Sequence, residues 1–288
     1  MKVSTSIAEL EHRPRAVAIG SFDGVHLGHR RVIETLLDTG LTPTVITFEP
    51  HPRIVLGYGV ELLTTLERRL ELLADGAVEH TLVIEFTHEF QQLEPEAFAD
   101  SVLREIGTEI VVAGEGFHFG HRRRGDLDLL ATLGYEVRVV PIAEGPSSTA
   151  IRDLLHEGDL ASAAALLGRP PELDGLVVVG DERGGTLGFP TANVAVEPAL
   201  LVPANGIYAG SALGHHAAIS VGTNPHYGGT ERRIEAHLID FAGDLYGQRL
   251  VVELWQRLRD EQAFASEDAL VAQIAQDVEA SRTARRPR

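Results

Sequence analysis

Apolar residues in the first half of the chain follow two alternating periods. Short continuous runs at Ala16–Gly20, Thr44–Phe48, Thr81–Phe86, Glu109–Ala113 and Tyr135–Val140 have the length and β-branched content of buried strands. Between them, LGHRRVIETLLD, TLERRLELLAD and PEAFADSVLREI carry apolar residues at the spacing of an amphipathic helix. Pro95 opens the last of these at a favoured first-turn position. Such alternation predicts a parallel sheet with helices on both faces. Sheets of this kind bind ligands in loops beyond the C-terminal strand ends. Helical segments around Thr149–Glu157 and Asp159–Leu167 close this half.

GRPP (Gly168–Pro171) then breaks the pattern and reads as a linker. Beyond it, GLVVVG, GIYAGSAL, HAAISVG, RRIEAHLIDF and QRLVVELW are short, strand-like and separated by Gly, Pro and Asn. That is the pattern of an antiparallel sheet or barrel. Ser266 is placed to cap a last amphipathic helix, Ser266–Ser281, and the tail TARRPR reads as frayed. His215-His216 read as a solvated strand edge. The expected fold class is α/β, with a parallel-sheet domain over residues 1–168 and an antiparallel β domain over residues 169–288.

Composition narrows the chemistry. The chain has 288 residues and no cysteine, which excludes disulfides, thiolate metal sites, iron–sulfur clusters and cysteine nucleophiles. The formal net charge is −17, from 42 acidic and 25 basic residues. Lys2 is the one lysine, so positive charge is carried by arginine. Such a surface repels nucleic acid and anionic lipid. An anionic ligand must therefore be held by local devices: a helix N-terminus, an arginine or a metal ion. No run approaches the ~18 apolar residues of a membrane span. The N-terminus lacks the apolar core of a signal peptide. A cytoplasmic protein with no membrane or nucleic-acid partner is expected.

GSFDGVHLGH (Gly20–His29) joins the first strand to the first helix. Its glycines let the backbone turn tightly and approach a ligand, and the helix N-terminus suits phosphate. His26 and His29 are expected as imidazolium donors that stabilise charge developing at an α-phosphate. Alone, such a turn is equally an ordinary strand–helix turn. SSTAIR (Ser147–Arg152) offers hydroxyls, a helix start and a bidentate arginine, although by itself it is more often a helix cap. HRRR (His121–Arg124) reads as a solvated loop.

TLGFPTAN (Thr186–Asn193) follows a glycine-rich loop. Thr191 and Asn193 lie two apart, so an extended segment turns both to one side, where their oxygens suit Mg²⁺ on ATP phosphates. In RRIEAHLIDF, core-facing Ile234, Ala236 and Leu238 leave Glu235 and His237 on the opposite surface. A carboxylate there can take a proton from an alcohol. By itself, Glu235 reads more simply as a solvated strand residue. No His/Asp/Glu spacing fits a structural zinc site.

Taken together, GSFDGVHLGH, TFEPHPR, LTTLERRLELL, FTHEF, FHFGHRRRGD and SSTAIR resemble the H-x-G-H FAD synthetase module of bacterial bifunctional riboflavin kinase/FAD synthetases. GFPTAN, PANGIYAG, ISVGTNP, IEAHLIDF, DLYGQRL and LRDEQAF resemble their riboflavin kinase module. The resemblance implies an H-x-G-H nucleotidyltransferase domain followed by a six-stranded antiparallel barrel with a terminal helix. It implies ATP-dependent phosphorylation of riboflavin to FMN, then adenylylation of FMN to FAD, with Mg²⁺ in both steps. Carried onto this sequence, it places Gly20, Phe22, Asp23, Gly24, His26, Gly28 and His29 at the ATP phosphates of the first site. Ser147, Ser148, Thr149 and Arg152 match its second phosphate-binding signature. In the kinase module it makes Glu235 the base, Gly188, Thr191 and Asn193 nucleotide ligands, Thr191 and Asn193 also metal ligands, and Arg259 a flavin neighbour. Gly116, His118 and His226 stand where the family more often has other residues. A second reading thus stays open, a riboflavin kinase whose first domain adenylylates weakly or acts on another substrate. A non-catalytic flavin or nucleotide sensor is the third.

Overall fold

The computed structural model describes residues 1–141, 146–180, 183–223 and 232–287, with the backbone alone for Arg183. They form two compact units, one of residues 1–60 and 66–146, the other of residues 61–65 and 147–288.

In the first unit, β1 (Lys2–Ser4), β2 (Arg15–Ile19), β3 (Thr42–Glu49), β4 (His80–Glu85), β5 (Thr108–Gly114) and β6 (Glu136–Val140) make one parallel sheet, ordered β1-β4-β3-β2-β5-β6. Its helices are α1 (Leu27–Leu37), α2 (Pro52–Val55), α3 (Leu66–Asp75), α4 (Pro95–Phe98) and α5 (Leu127–Thr132). β2 is buried throughout, and its alternate side chains enter two cores. Ala16 and Ala18 pack with Ile33 and Leu36 of α1 and Leu72 and Leu73 of α3. Val17 and Ile19 pack on the other face with Phe98, Val102, Leu103 and Leu130. The expected two-faced parallel sheet is thus present.

Two elements differ from expectation. β1 is too short to show a period, and only its pairing with β4 makes it a strand. PEAFADSVLREI begins as α4 but continues as a π-helical turn over Ala99–Arg104, which keeps Ala99, Val102 and Leu103 buried.

The second unit contains α6 (Ser148–Glu157), α7 (Leu160–Leu167), β7 (Glu172–Val178), α8 (Arg183–Thr186), β8 (Ala192–Val196), β9 (Gly206–Ala212), β10 (His215–Thr223), β11 (Arg232–Leu238), β12 (Arg249–Arg259) and α9 (Glu267–Thr283). Its strands close a six-stranded antiparallel barrel, ordered β10-β11-β8-β7-β12-β9. Leu173, Val194, Ile219, Ile234 and Val252 fill it, and Ile151, Leu155 and Leu167 of α6 and α7 join the same core. Because α7 packs there, Gly168–Pro171 is no exposed linker. Arg169 is buried, and the Pro171 carbonyl accepts from Leu254 N–H at 2.8 Å.

Residues 61–65 also serve the barrel unit. Leu62 N–H donates to Ala199 O at 2.6 Å, and Leu201 N–H to Leu62 O at 2.7 Å. The Thr65 hydroxyl donates to buried Asp174, which Arg249 grips by two bonds of 2.7 and 2.8 Å. The LTTLERRLELL stretch therefore divides, its start in the second unit and α3 in the first.

A closed barrel has no edge, so His215 and His216 do not lie on one. His216 Nδ1 is 2.9 Å from Ser281 O, and its ring meets Trp255 edge to face. Ser266 caps α9 as expected, accepting from Ala269 N–H at 3.2 Å. The tail is tied down where fraying was expected, because Arg286 pairs with Glu253 at 2.7 Å. Among the described residues, no helix is long and apolar enough to cross a membrane.

Candidate active sites

The first candidate site is the turn between β2 and α1, at the C-terminal edge of the sheet. Phe22 (φ +50°), Gly24 (φ +82°) and Val25 (φ +37°) all adopt left-handed backbone there. Two of the three are not glycine, and such strain concentrates at functional sites. Asp23 is buried. His26 is the N-cap of α1, its Nδ1 accepting from His29 N–H at 3.3 Å. The His26 and His29 rings stack at 3.7 Å, and Phe22 lies 5.0 Å from His29. A Cβ on Gly28 would sit 3.0 Å from His26 Cε1 and 3.2 Å from Pro146 O, so only glycine leaves the His26 ring undisturbed.

An Nδ1 that accepts a hydrogen bond carries no proton at that atom, which leaves Nε2 of His26 as its donor. Burial, and then His26, hold His29 well below the usual histidine range, and among the described residues its buried Nδ1 has no partner. Two stacked rings at this distance disfavour a shared positive charge.

Arg69 of α3, unmarked by any sequence period, donates to the Ser21 carbonyl at 2.8 Å and pairs with Glu49 at 2.7 Å. Thr47 Oγ1 donates to the same carbonyl at 3.1 Å. Gly116 and His118 lie exposed just after the C-terminal end of β5.

Ser147, Ser148, Thr149 and Arg152 belong to the second unit, whereas His26 and His29 belong to the first. Ser147 caps α6 by accepting from Ala150 N–H at 3.1 Å. Ser148 and Thr149 form the first turn. Arg152 is buried, its Nε donating to Glu61 O at 2.5 Å.

The second candidate site lies on the outer face of the barrel. Ile234, Ala236 and Leu238 point inward, which turns Glu235 and His237 outward as expected. β8, unmarked as a strand by the sequence, pairs with β11 so that Asn193 stands directly opposite Glu235. Thr191 directly precedes β8. Gly188 (φ +87°) supplies the left-handed turn before it. Two further glycines matter. A Cβ on Gly180 would lie 2.2 Å from Asn193 Nδ2, and one on Gly184 would lie 3.1 Å from Thr191 Oγ1. The chain before α8 and its first turn therefore close onto the two oxygen-bearing side chains, forming a cradle that a Cβ would fill. His237 Nδ1 lies 2.8 Å from Pro190 O and its ring meets Phe189 edge to face, which steadies the segment leading to Thr191. The hydroxyl and amide oxygens are hard ligands that fit Mg²⁺. Among the described residues no cluster of three His, Asp or Glu could hold a metal unaided.

Arg259 ends β12 with its guanidinium committed to Asp277 of α9, at 2.7 to 3.2 Å, and stands over Phe264. Asp277 was not legible as a partner, since the spacing between strand and helix hides the pair. His226 lies outside the described residues.

Fold and turn together put the chain in the class of two-module proteins that join an H-x-G-H parallel-sheet domain to a closed β-barrel. The FAD synthetase family model matches residues 8–148, and the riboflavin kinase family model residues 167–285. The bifunctional riboflavin kinase/FMN adenylyltransferase of Escherichia coli (strain K12) is 37% identical over 96% of each chain. That of Bacillus subtilis (strain 168) is 35% identical over 93% of this chain and 91% of its own. Among solved structures, a chain described as a macrolide-efflux protein from Streptococcus pneumoniae matches with a TM-score of 0.86 at 30% identity, covering 98% of both chains. The chain belongs to the bifunctional riboflavin kinase/FMN adenylyltransferase family.

Proposed function

We propose that this protein phosphorylates riboflavin to FMN at the barrel site and adenylylates FMN to FAD at the H-x-G-H site. Phosphorylation is assigned to residues 169–288 and adenylylation to residues 1–168. The observation that carries the reading is the register of β8 and β11, which sets a carboxylate opposite an amide oxygen beside a glycine cradle.

In the first step Glu235 takes the proton of the riboflavin 5′-hydroxyl, whose oxygen bonds to the γ-phosphorus of ATP as the bond to ADP breaks. Thr191 and Asn193 would hold Mg²⁺ with the ATP phosphates, Gly188 giving the chain room to reach them. The ion supplies charge neutralisation. Arg259 steadies the LRDEQAF stretch beside the flavin through Asp277. In the second step an FMN phosphate oxygen bonds to the α-phosphorus of another ATP, and pyrophosphate leaves. Gly20, Phe22, Asp23, Gly24 and Gly28 shape the phosphate-binding turn. His26 and His29 donate Nε2–H bonds to the charge that develops. Ser147, Ser148, Thr149 and Arg152 form a second phosphate-binding segment. A cytoplasmic location fits ATP-dependent reactions, and the net charge of −17 argues against nucleic-acid partners.

Purified protein given FMN, ATP and Mg²⁺ is expected to release FAD and pyrophosphate, and with riboflavin in place of FMN to form FMN first. FMN formation without FAD would favour the second reading, which Gly116 and His118 motivate. The cradle gives a narrower expectation. Gly180→Ala pushes Asn193 aside and should raise the KM for ATP in riboflavin phosphorylation roughly 10- to 100-fold, with FMN adenylylation unchanged.

A further inference from the structure

Arg69 is 3% exposed, and a guanidinium withdrawn that far from water is costly unless its partners justify it. Leu72 and Leu73 already bind α3 to the core, so packing gives no reason for a cation at this position. Its contacts point to the phosphate-binding turn. Nη1 donates to the Ser21 carbonyl at 2.8 Å and Nη2 pairs with Glu49 Oε2 at 2.7 Å.

Ser21 immediately precedes Phe22, the first of the three left-handed residues. Its carbonyl accepts from both Arg69 and Thr47 Oγ1, on α3 and β3. Two donors on one carbonyl fix the peptide plane from which the strained turn leads into His26. Glu49 ends β3, at the sheet edge that carries the turn, and its side chain is 37% exposed. An uncompensated carboxylate there would repel a polyphosphate, and the buried guanidinium cancels it.

We propose that Arg69 is a positioning residue for adenylylation. It sets the phosphate-binding turn through the Ser21 carbonyl and neutralises Glu49 so that ATP can approach. The proposal rests on the reading of the first site as the FMN adenylylation site.

The test uses the full chain and four variants: Arg69→Met, Arg69→Lys, Glu49→Gln and the double Arg69→Met/Glu49→Gln. FAD formation from FMN is measured against ATP, with riboflavin phosphorylation followed in the same preparations. Arg69→Met should raise the KM for ATP about tenfold or more in adenylylation, kcat falling less. Arg69→Lys, which keeps the charge but not the fork, should lie between it and the parent. The double variant should recover part of the KM, because the exposed charge is gone. Glu49→Gln alone should leave KM at or below the parental value, whereas a purely structural ion pair would make it worse. Riboflavin phosphorylation should stay within about twofold throughout.

Parental KM in Arg69→Met would overturn the proposal. So would a large rise in Glu49→Gln, which decides the matter even if Arg69→Met does not fold. An unaltered chain that makes no FAD from FMN would instead count against the reading of the site itself.

Discussion

Glu235→Ala is expected to lower FMN formation roughly 10²- to 10⁴-fold, while FAD is still made from supplied FMN. The expectation follows from the barrel's geometry. Glu235 faces outward opposite Asn193, with Ile234 and Ala236 packed on the inside. Removing its carboxylate leaves the backbone ladder and the core-facing side chains in place. Glu235→Gln keeps the shape but accepts no proton, and should be nearly as inactive. Separate assays with riboflavin and with FMN check the division. Equal loss of both reactions would mean that Glu235 supports the fold rather than the phosphoryl transfer.

The second large effect is expected at His29. His29→Ala should lower FAD formation from FMN roughly 10²- to 10³-fold, the range for loss of one donor to developing charge. Riboflavin phosphorylation should be unaffected. His29 is a cleaner test than His26, whose Nδ1 also caps α1 and whose loss would add about 1 kcal/mol of instability. The neutral state of His29 also gives a pH dependence with a definite sign. Burial and His26 keep it deprotonated in the free protein. Bound polyphosphate favours the protonated form, so binding takes up a proton. Affinity for ATP at the first site should therefore rise as pH falls from 8 to 6, and His29→Ala should flatten that slope. Measured KM values across this range decide it.

Much of the architecture was legible because the hydrophobic effect writes it into the sequence. The buried run from Ala16 sends alternate residues to two cores, and Ile234, Ala236 and Leu238 alternate with Glu235 and His237. Local capping was equally readable at Ser266. What escaped depends on partners far away in the chain. β1 has no period of its own and exists only through β4. Gly168–Pro171 carries the residues of a linker, yet burial of α7 pulls it into the core. Residues 61–65 look continuous with α3 but belong to the second unit, where Leu62 pairs with Leu201 and Thr65 with Asp174.

At the sites, residue types were legible and their states were not. The histidines of the H-x-G-H turn were recognisable, but their stacking depends on a fold that brings the rings to 3.7 Å. Arg69 sits in a segment read only as an amphipathic helix, and its carbonyl and carboxylate partners come from Ser21 and Glu49, far away in the sequence. Gly180 and Gly184 read as loop glycines until Asn193 and Thr191 close against them. In each case the deciding quantity is a contact between segments that sequence spacing does not encode.

One chain is expected to carry out two successive transfers at two sites. Its most direct measurement is a chromatographic time course of the purified protein with riboflavin, ATP and Mg²⁺. Riboflavin should decline, FMN should rise and fall, and FAD should accumulate with one pyrophosphate released for each FAD. FMN that accumulates without FAD, or FAD formation that fails when FMN is supplied directly, would contradict it.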